Sequence, residues 1–155
     1  MIIFTLASCS NFSKKKRTFT DTRLLIGISN DSLKIRTEYH LIKTIADSII
    51  EFEYLSKTDS IRNFNARYNK SKSELILGFT GYSKKDDNCF INQEISNFGF
   101  DSYVHTKTEI DGMEPILFNQ KHGILAIGNP LGSAAVFTKN KPELKVVNRI
   151  IEKLY

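Results

Sequence analysis

The chain has 155 residues, of which 41 % are hydrophobic and 25 % are charged, and its 22 Lys and Arg against 17 Asp and Glu give a net charge of +5. This balance is typical of a chain that buries a core, and it excludes intrinsic disorder and collagen-like classes. Only Cys9 and Cys89 are present, so neither a zinc knuckle nor a disulfide framework is indicated.

The first apolar run, residues 2–6, predicts a strand that is covered on both faces, as in a parallel sheet. It is far shorter than the roughly 20 residues of a transmembrane helix, so the sequence predicts no membrane partner. Residues 6–9 (Leu-Ala-Ser-Cys) also have the outline of a bacterial lipoprotein cleavage box. A lipoprotein with a truncated signal is therefore one alternative, although no Lys or Arg precedes Lys14.

A polar loop over residues 10–22 leads to a predicted strand over 23–28 and then to a predicted helix. The helix is indicated by apolar residues that recur at spacings of three and four, giving one stripe. Polar residues 29–32 suit its N-terminal cap. The stripe consists of Leu41, Ile42, Ile45, Ala46, Ile49, Ile50 and Phe52.

The middle of the chain predicts a β-α-β unit. Residues 56–73 are polar and basic, with a second candidate helix through Ile61, Phe64 and Tyr68. A strand over 74–80, a turn over 83–88, a short helix over 90–98 ended by Gly99, and a strand over 102–105 follow.

The last part of the chain predicts a hairpin and a terminal helix. Residues 115–118 and 123–127 are extended runs separated by a short polar segment, and Pro142 suits the first turn of a helix. The alternation of elements predicts a single α/β domain over residues 1–155. We expect a small three-layer or two-layer sheet with flanking helices, partly completed by a partner chain.

Candidate catalytic and metal-binding groups are sparse. The turn over residues 129–135 lacks the Lys of a P-loop, so an ordinary turn is the commoner interpretation and a nucleotide-binding domain an alternative. The three His residues, at 40, 105 and 122, have no metal-ligand spacing. Four acidic residues are typical of solvated turns, or alternatively of a small α/β metal-dependent nuclease: Asp86, Asp87, Glu109 and Asp111. We predict no catalytic residue, metal, cofactor or enzyme activity.

Basic residues with aromatic neighbours favour contact with RNA, because cations neutralise phosphates and rings stack on bases. Four consecutive cations stand in the first loop, with Phe12 and Phe19 beside them. Two more Arg lie near Phe64 and Tyr68. The candidate RNA-binding residues are Lys14, Lys15, Lys16, Arg17, Arg62 and Arg67.

One region resembles a known family. Residues 27–34 (Gly-Ile-Ser-Asn-Asp-Ser-Leu-Lys) precede residues 41–51, which contain Ile45-Ala46-Asp47. This order resembles the C-terminal part of the small-subunit ribosomal protein S-two family, where a strand, a Pro-Gly-Asn-Asp turn and a helix containing Ile-Ala-Asp follow one another. Ile28 and Ser29 replace the Pro and Gly. The likeness covers about residues 1–52, and residues 56–155 form an unrecognised extension.

The resemblance implies a structural component of the small ribosomal subunit that contacts rRNA and neighbouring ribosomal proteins. A separate chain would supply the rest of the sheet, and Asn30 and Asp31 would form the structural turn. Frequent Asn, Lys, Ile, Phe and Tyr with no Trp suit an A/T-rich genome such as a mitochondrial one. The implied location is the mitochondrial ribosome, with a cytoplasmic or membrane-anchored protein as the alternative.

Overall fold

In the computed structural model, the described residues form ten antiparallel strands, each paired with the next along the chain, that close into a barrel. The structure describes residues 16–29, 32–106, 115–129 and 133–155. A single turn of 3₁₀ helix, Ser60–Arg62, precedes the fourth strand, and the helix α1, Leu144–Ile151, follows the last. The strands are β1 Arg17–Ser29, β2 Ser32–Ala46, β3 Ile49–Ser56, β4 Phe64–Asn69, β5 Glu74–Leu77, β6 Thr80–Phe90, β7 Phe100–His105, β8 Ile116–Asn119, β9 Gly123–Ile127 and β10 Ala135–Thr138.

The predicted α/β class is wrong. β10 pairs with β1, with Ile26 opposite Val136 and Leu24 opposite Thr138, so the described strands close on themselves and leave no edge for a partner chain to complete. Adjacent strands joined by short connections favour antiparallel pairing, whereas a parallel sheet needs a long crossover between strands. In place of the expected flanking helical layers, the described ranges contain one short α-helix.

The inside of the barrel is a packed aromatic core. Successive residues of a strand point to opposite faces, so every second residue faces inwards. The ring of Tyr54 stacks on that of Phe64 with centroids 4.3 Å apart, and Phe52 meets Phe118 edge to face at 5.5 Å. The buried members are Tyr39, Leu41, Ile50, Phe52, Tyr54, Ala66, Tyr68, Leu75, Tyr82, Tyr103, Ile116, Phe118, Ile124 and Phe137.

A second core lies outside the barrel wall, where α1 packs on it. Val146, Val147 and Ile150 of the helix are buried. They cover the outward residues of the last strands, so β8 and β9 are buried on both faces and appear as continuous apolar runs. The buried members of this outer core are Ile26, Phe90, Phe100, Leu117, Leu125, Ala126, Ala134, Val136, Val146, Val147, Ile150 and Leu154.

The predicted helix over residues 41–52 is instead the end of β2, a tight turn and β3. In β2 the odd-numbered residues Tyr39 and Leu41 are buried inside, whereas in β3 the even-numbered residues Phe52 and Tyr54 are. The turn, with Asp47 at φ 47°, changes the parity. Each of the two strands has inward residues at every second position, but the alternation is reversed across the two-residue turn. The combined spacing of the apolar residues therefore resembles that of a helix.

Three other predictions in the middle of the chain are also wrong. The predicted turn over 83–88 lies within β6, which carries two irregularities in its pairing with β7. The predicted helix over 90–98 is the end of β6 and an irregular connection, and the candidate helix near Ile61 is a 3₁₀ turn followed by β4. The predicted strands over 23–28 and 102–105, the hairpin of β8 and β9, and the terminal helix are confirmed, and the predicted strand over 74–80 is confirmed for residues 74–77. The predicted loop over 10–22 is wrong for residues 17–22, which belong to β1.

The segment that resembles the ribosomal family contains a hairpin rather than a strand, turn and helix. β1 pairs with β2 along their whole length, from Arg17 opposite Ile45 to Ser29 opposite Ser32. The predicted strand over 2–6 and the turn residues Asn30 and Asp31 lie outside the described residues. Within the described ranges, no helix has the length and apolar character needed to cross a membrane.

Candidate functional site

Basic side chains collect at one end of the barrel, which we call the basic end. It is formed by the start of β1, the β2–β3, β4–β5 and β8–β9 turns, and the connection over residues 91–99. The other end carries the 3₁₀ helix and the β5–β6 turn. Cations that belong to the basic end by their position in strand or turn are Lys16, Arg17, Lys43, Lys70, Lys72 and Lys121.

A cavity of about 270 Å³ opens at the basic end, and we call it the cationic cavity. Three cationic side chains line it, with one acidic side chain and apolar neighbours from β1 and β2. The lining residues are Phe19, Thr20, Asp21, Arg23, Leu41, Lys43, Ile45 and Lys121. The lining therefore carries a formal excess of two positive charges next to low-dielectric walls, where electrostatic interactions are stronger than in water.

Arg23 is a buried cation with a fixed position. Its residue is 3 % exposed. Nη1 donates to Asp21 Oδ2 at 2.9 Å and to the Thr22 carbonyl at 2.7 Å, and Nη2 donates to the His122 carbonyl at 2.7 Å. Its Nε has no hydrogen-bond partner in the described part of the chain. A guanidinium held in this way presents a pre-organised positive charge to the cavity.

Asp21, the acidic group of the cavity, is already shared between two cations. Lys139 Nζ lies 3.1 Å from Asp21 Oδ1, while Arg23 binds the other oxygen. Burial raises the pKa of Asp21, but the hydrogen bonds from Arg23, the Thr22 N–H and Lys139 outweigh it and lower the pKa to about 2. Asp21 is therefore ionised at neutral pH and is compensated without help from a ligand.

Lys43 is a half-buried cation whose environment opposes its charge. Its Nζ donates to the Gln120 carbonyl at 2.6 Å and lies 5.7 Å from the centroid of the Phe52 ring. Burial lowers the pKa of Lys43, and the positive charges of Lys121, Arg23 and Lys70 lower it further. An anion in the cavity would relieve this repulsion, because an opposite charge favours the charged form.

The β8–β9 turn positions Lys121 beside the cavity. Asn119 Oδ1 accepts hydrogen bonds from the Lys121 N–H at 3.0 Å and the His122 N–H at 2.6 Å. Asn119 Nδ2 donates to the Phe98 carbonyl at 3.2 Å and to Ser96 Oγ at 3.3 Å. One buried amide therefore ties the turn to the 91–99 connection.

His122 supports this turn and has no catalytic geometry. Its ring Nε2 lies 3.0 Å from the Phe137 carbonyl, an acceptor, so this nitrogen carries the proton. Burial, and then the charge of Arg23, lower the pKa of His122 to about 4. The ring is neutral at pH 7 and serves as a buried hydrogen-bond donor.

A second cavity, of about 360 Å³, shares one lining residue, Lys121, with the cationic cavity. Lys84 Nζ lies near two of its carboxylates, 2.7 Å from Asp101 Oδ2 and 2.8 Å from Asp87 Oδ1. Burial lowers the pKa of Lys84, but these two partners outweigh burial and raise the pKa. The second cavity is lined by Asp87, Asn88, Phe98, Gly99, Asp101, Tyr103, Phe118, Asn119, Gln120 and Lys121.

The structure does not gather the candidate RNA-binding residues. Lys14 and Lys15 lie outside the described residues, whereas Lys16 and Arg17 lie at the basic end. Arg62 is at the other end of the barrel, with Nε 3.5 Å from Asp59 Oδ2. Arg67 is exposed on β4, 3.5 Å from Glu51 Oε1.

The other candidate groups form no metal site in the part of the chain that the structure describes, since it holds no group of three or more His, Cys, Asp or Glu side chains arranged to bind a metal. Glu109 and Asp111 lie outside the described residues, as do residues 130–132 of the 129–135 turn. Asp86 and Asp87 belong to β6. His40 is exposed on β2.

Sequence reasoning missed the three cations of the cavity. The usable signal is the alternation of inward and outward residues along a strand. In β2, Lys43 occupies an inward position, and the inward residues on either side of it, Leu41 and Ile45, are apolar. A cation in an inward position of an alternating strand is costly unless something compensates it. Arg23 in β1 also occupies an inward position, but there Asp21, two residues before it, is charged as well.

Comparisons of the chain with protein-family models, with curated proteins and with solved structures gave no match.

Proposed function

We propose that this protein binds a small organic anion in the cationic cavity. The observation that carries the proposal is the convergence of Arg23, Lys43 and Lys121 on one cavity whose acidic residue, Asp21, is already paired. Arg23 is paired with Asp21, but Lys43 and Lys121 have no carboxylate partner among the described residues. The positive charges around the cavity therefore repel one another, and a bound anion removes that repulsion.

The dimensions favour a small ligand. Aromatic side chains fill the barrel interior, and the cationic cavity, at about 270 Å³, lies just below the roughly 300–1,000 Å³ usual for ligand pockets. Leu41 and Ile45 give the cavity an apolar side. A single carboxylate or phosphate on a body of about one six-membered ring suits these features.

The test is isothermal titration calorimetry at low ionic strength with cyclohexyl phosphate, and with cyclohexanol as the neutral counterpart. We expect saturable binding of the phosphate and none of the alcohol. Losing one charge-assisted hydrogen bond costs about 1.5 kcal/mol, so Lys43→Gln and Lys121→Gln should each weaken binding about tenfold.

Lys34→Gln is the matched control, because Lys34 is an exposed cation near the start of β2. It lies nine residues from Lys43 along the same strand, about 30 Å away at roughly 3.3 Å per residue. This variant should bind within twofold of the natural chain. Equal losses in all three variants would reject the proposal, as would failure of the natural chain to bind either cyclohexyl phosphate or any of the other phosphate and carboxylate ligands tested below.

RNA binding, as a ribosomal component, remains a second candidate function. It is favoured by the position of Lys16 and Arg17 at the same end as Lys70 and Lys72 in the β4–β5 turn. A labelled single-stranded RNA should then bind with an affinity that falls steeply with salt, since each neutralised phosphate releases counterions. Absence of the chain from purified small ribosomal subunits would reject the ribosomal role.

The remaining expectations also stay predictions. They are the absence of enzyme activity, the mitochondrial location, contact with neighbouring ribosomal proteins, and the alternative of a lipoprotein modified at Cys9, which lies outside the described residues.

A further inference from the structure

We infer that the anion carries hydroxyl groups, as a one-ring sugar phosphate or sugar acid does, and that these groups occupy the second cavity. The inference rests on the proposed function, because the anionic group is assigned to the cationic cavity. Lys121 lines both cavities, so a ligand that is bound by this side chain lies where the two meet.

Three exposed planar polar side chains, those of Asp87, Asn88 and Gln120, line part of the second cavity. The side-chain amides of Asn88 and Gln120 make no hydrogen bond within the described ranges, while Asp87 uses one carboxylate oxygen, Oδ1, for Lys84. An amide offers a donor and an acceptor side by side, and a carboxylate offers two acceptors. Adjacent hydroxyl groups, each both donor and acceptor, match such pairs, whereas a purely apolar body would leave them unpaired on burial.

An aromatic ring completes this wall. Phe98, in the 91–99 connection, is 53 % exposed, and Lys121 Nζ lies 5.7 Å from the centroid of its ring. The face of a sugar ring that bears C–H groups is apolar, so an exposed ring beside polar side chains suits it better than it suits a bare phosphate. Lys121 and Phe98 thus form the border at which the anionic and hydroxylated parts of the ligand meet.

Gly99 permits the observed position of Asn88. A Cβ at residue 99 would lie 2.2 Å from Asn88 Oδ1, much closer than any real contact, so a side chain there must displace the amide. The φ of Gly99 is not in the left-handed region, and the atom in conflict is the end of a flexible side chain. Gly99→Ala therefore disturbs the polar wall of the second cavity and leaves the cationic cavity in place.

The experiment compares glucose 6-phosphate with cyclohexyl phosphate, which has the anion but no hydroxyl groups. A parallel arm compares glucuronate with cyclohexanecarboxylate, and decides between a phosphate and a carboxylate. We expect the hydroxylated member of at least one pair to bind about tenfold more tightly. Gly99→Ala should remove most of that difference while changing the affinity for the unhydroxylated member less than twofold. Phe98→Ala should also remove most of that difference.

Phe79→Ala is the control for Phe98→Ala, because Phe79 is a fully exposed Phe in the β5–β6 turn at the other end of the barrel. It should change neither affinity. Circular dichroism checks the fold of each variant, and Asn88→Ala replaces Gly99→Ala if that variant does not fold.

The outcomes separate the two proposals. Equal affinity within both pairs overturns the hydroxyl inference and leaves anion binding intact, as does a preference that survives Gly99→Ala and Phe98→Ala. Failure of all four anions to bind rejects the proposed function itself.

Discussion

Removing one hydroxyl group from the barrel interior should destabilise the protein measurably. Tyr54 is 0 % exposed, and its hydroxyl oxygen accepts a hydrogen bond from the Ile124 N–H at 2.9 Å. Burial raises the pKa of Tyr54 to about 12, so the group is protonated at neutral pH. Tyr54→Phe keeps the ring stacked on Phe64 but leaves the buried Ile124 N–H without this acceptor.

The expected cost is that of an unsatisfied buried donor, about 1–3 kcal/mol. With a urea m value of about 2 kcal/mol/M for a small domain, a loss of about 2 kcal/mol lowers the unfolding midpoint by about 1 M. The assay is urea unfolding followed by circular dichroism at pH 7, and the m value should stay unchanged.

Tyr155→Phe is the matched control. Tyr155 is 67 % exposed, and its hydroxyl also hydrogen-bonds a backbone N–H, that of Asn129, at 3.1 Å. Water can replace this acceptor, so the loss should be under about 0.5 kcal/mol. Equal effects of the two substitutions, or a midpoint unchanged by Tyr54→Phe, would refute the argument that burial makes this hydrogen bond important.

Three further predictions concern the same framework. Gly123→Ala should lower the free energy of unfolding in urea by about 3 kcal/mol, because the φ of Gly123 is 90° and the new Cβ would lie 2.6 Å from the Tyr54 hydroxyl oxygen. Gly78→Ala should lower it by only about 1 kcal/mol, because the φ of Gly78 is 59° but the space around it is open. The pKa of His122 in the folded protein is about 4, below the ordinary 6.5, so between these pH values the unfolded state binds more protons. The free energy of unfolding should therefore fall by up to about 3 kcal/mol as the pH drops from 6.5 to 4. His122→Asn should flatten that part of the pH profile of the urea midpoint. Ile150→Ala should lower the free energy of unfolding by about 2–5 kcal/mol, because it opens a cavity between α1 and the barrel wall. Lys145→Ala, on the exposed face of the same helix, should change the urea midpoint little. Equal effects of the two substitutions would contradict the packing of α1 on the wall.

The candidate site was only partly accessible from the sequence. Runs of consecutive cations are conspicuous in a sequence, and of these Lys16 and Arg17 do lie at the basic end. The cavity, however, takes Arg23 from β1, Lys43 from β2 and Lys121 from the β8–β9 turn, which are far apart in the chain. Arg23 and Lys43 come together through the pairing of β1 with β2, whereas Lys121 joins them only through the closure of β1 against β10 and the hydrogen bonds of Asn119.

Local sequence was sufficient where neighbouring residues alone determine the element. The hairpin of β8 and β9 follows from two apolar runs around a short polar turn, and α1 follows from an apolar face after Pro142. Between residues 41 and 52 the same apolar residues satisfy a helical and a doubled strand pattern equally, so local information is ambiguous there. Tertiary structure decides: pairing β2 with both β1 and β3 satisfies the backbone of this segment and directs Leu41, Phe52 and Tyr54 into one core, which an isolated helix would not do.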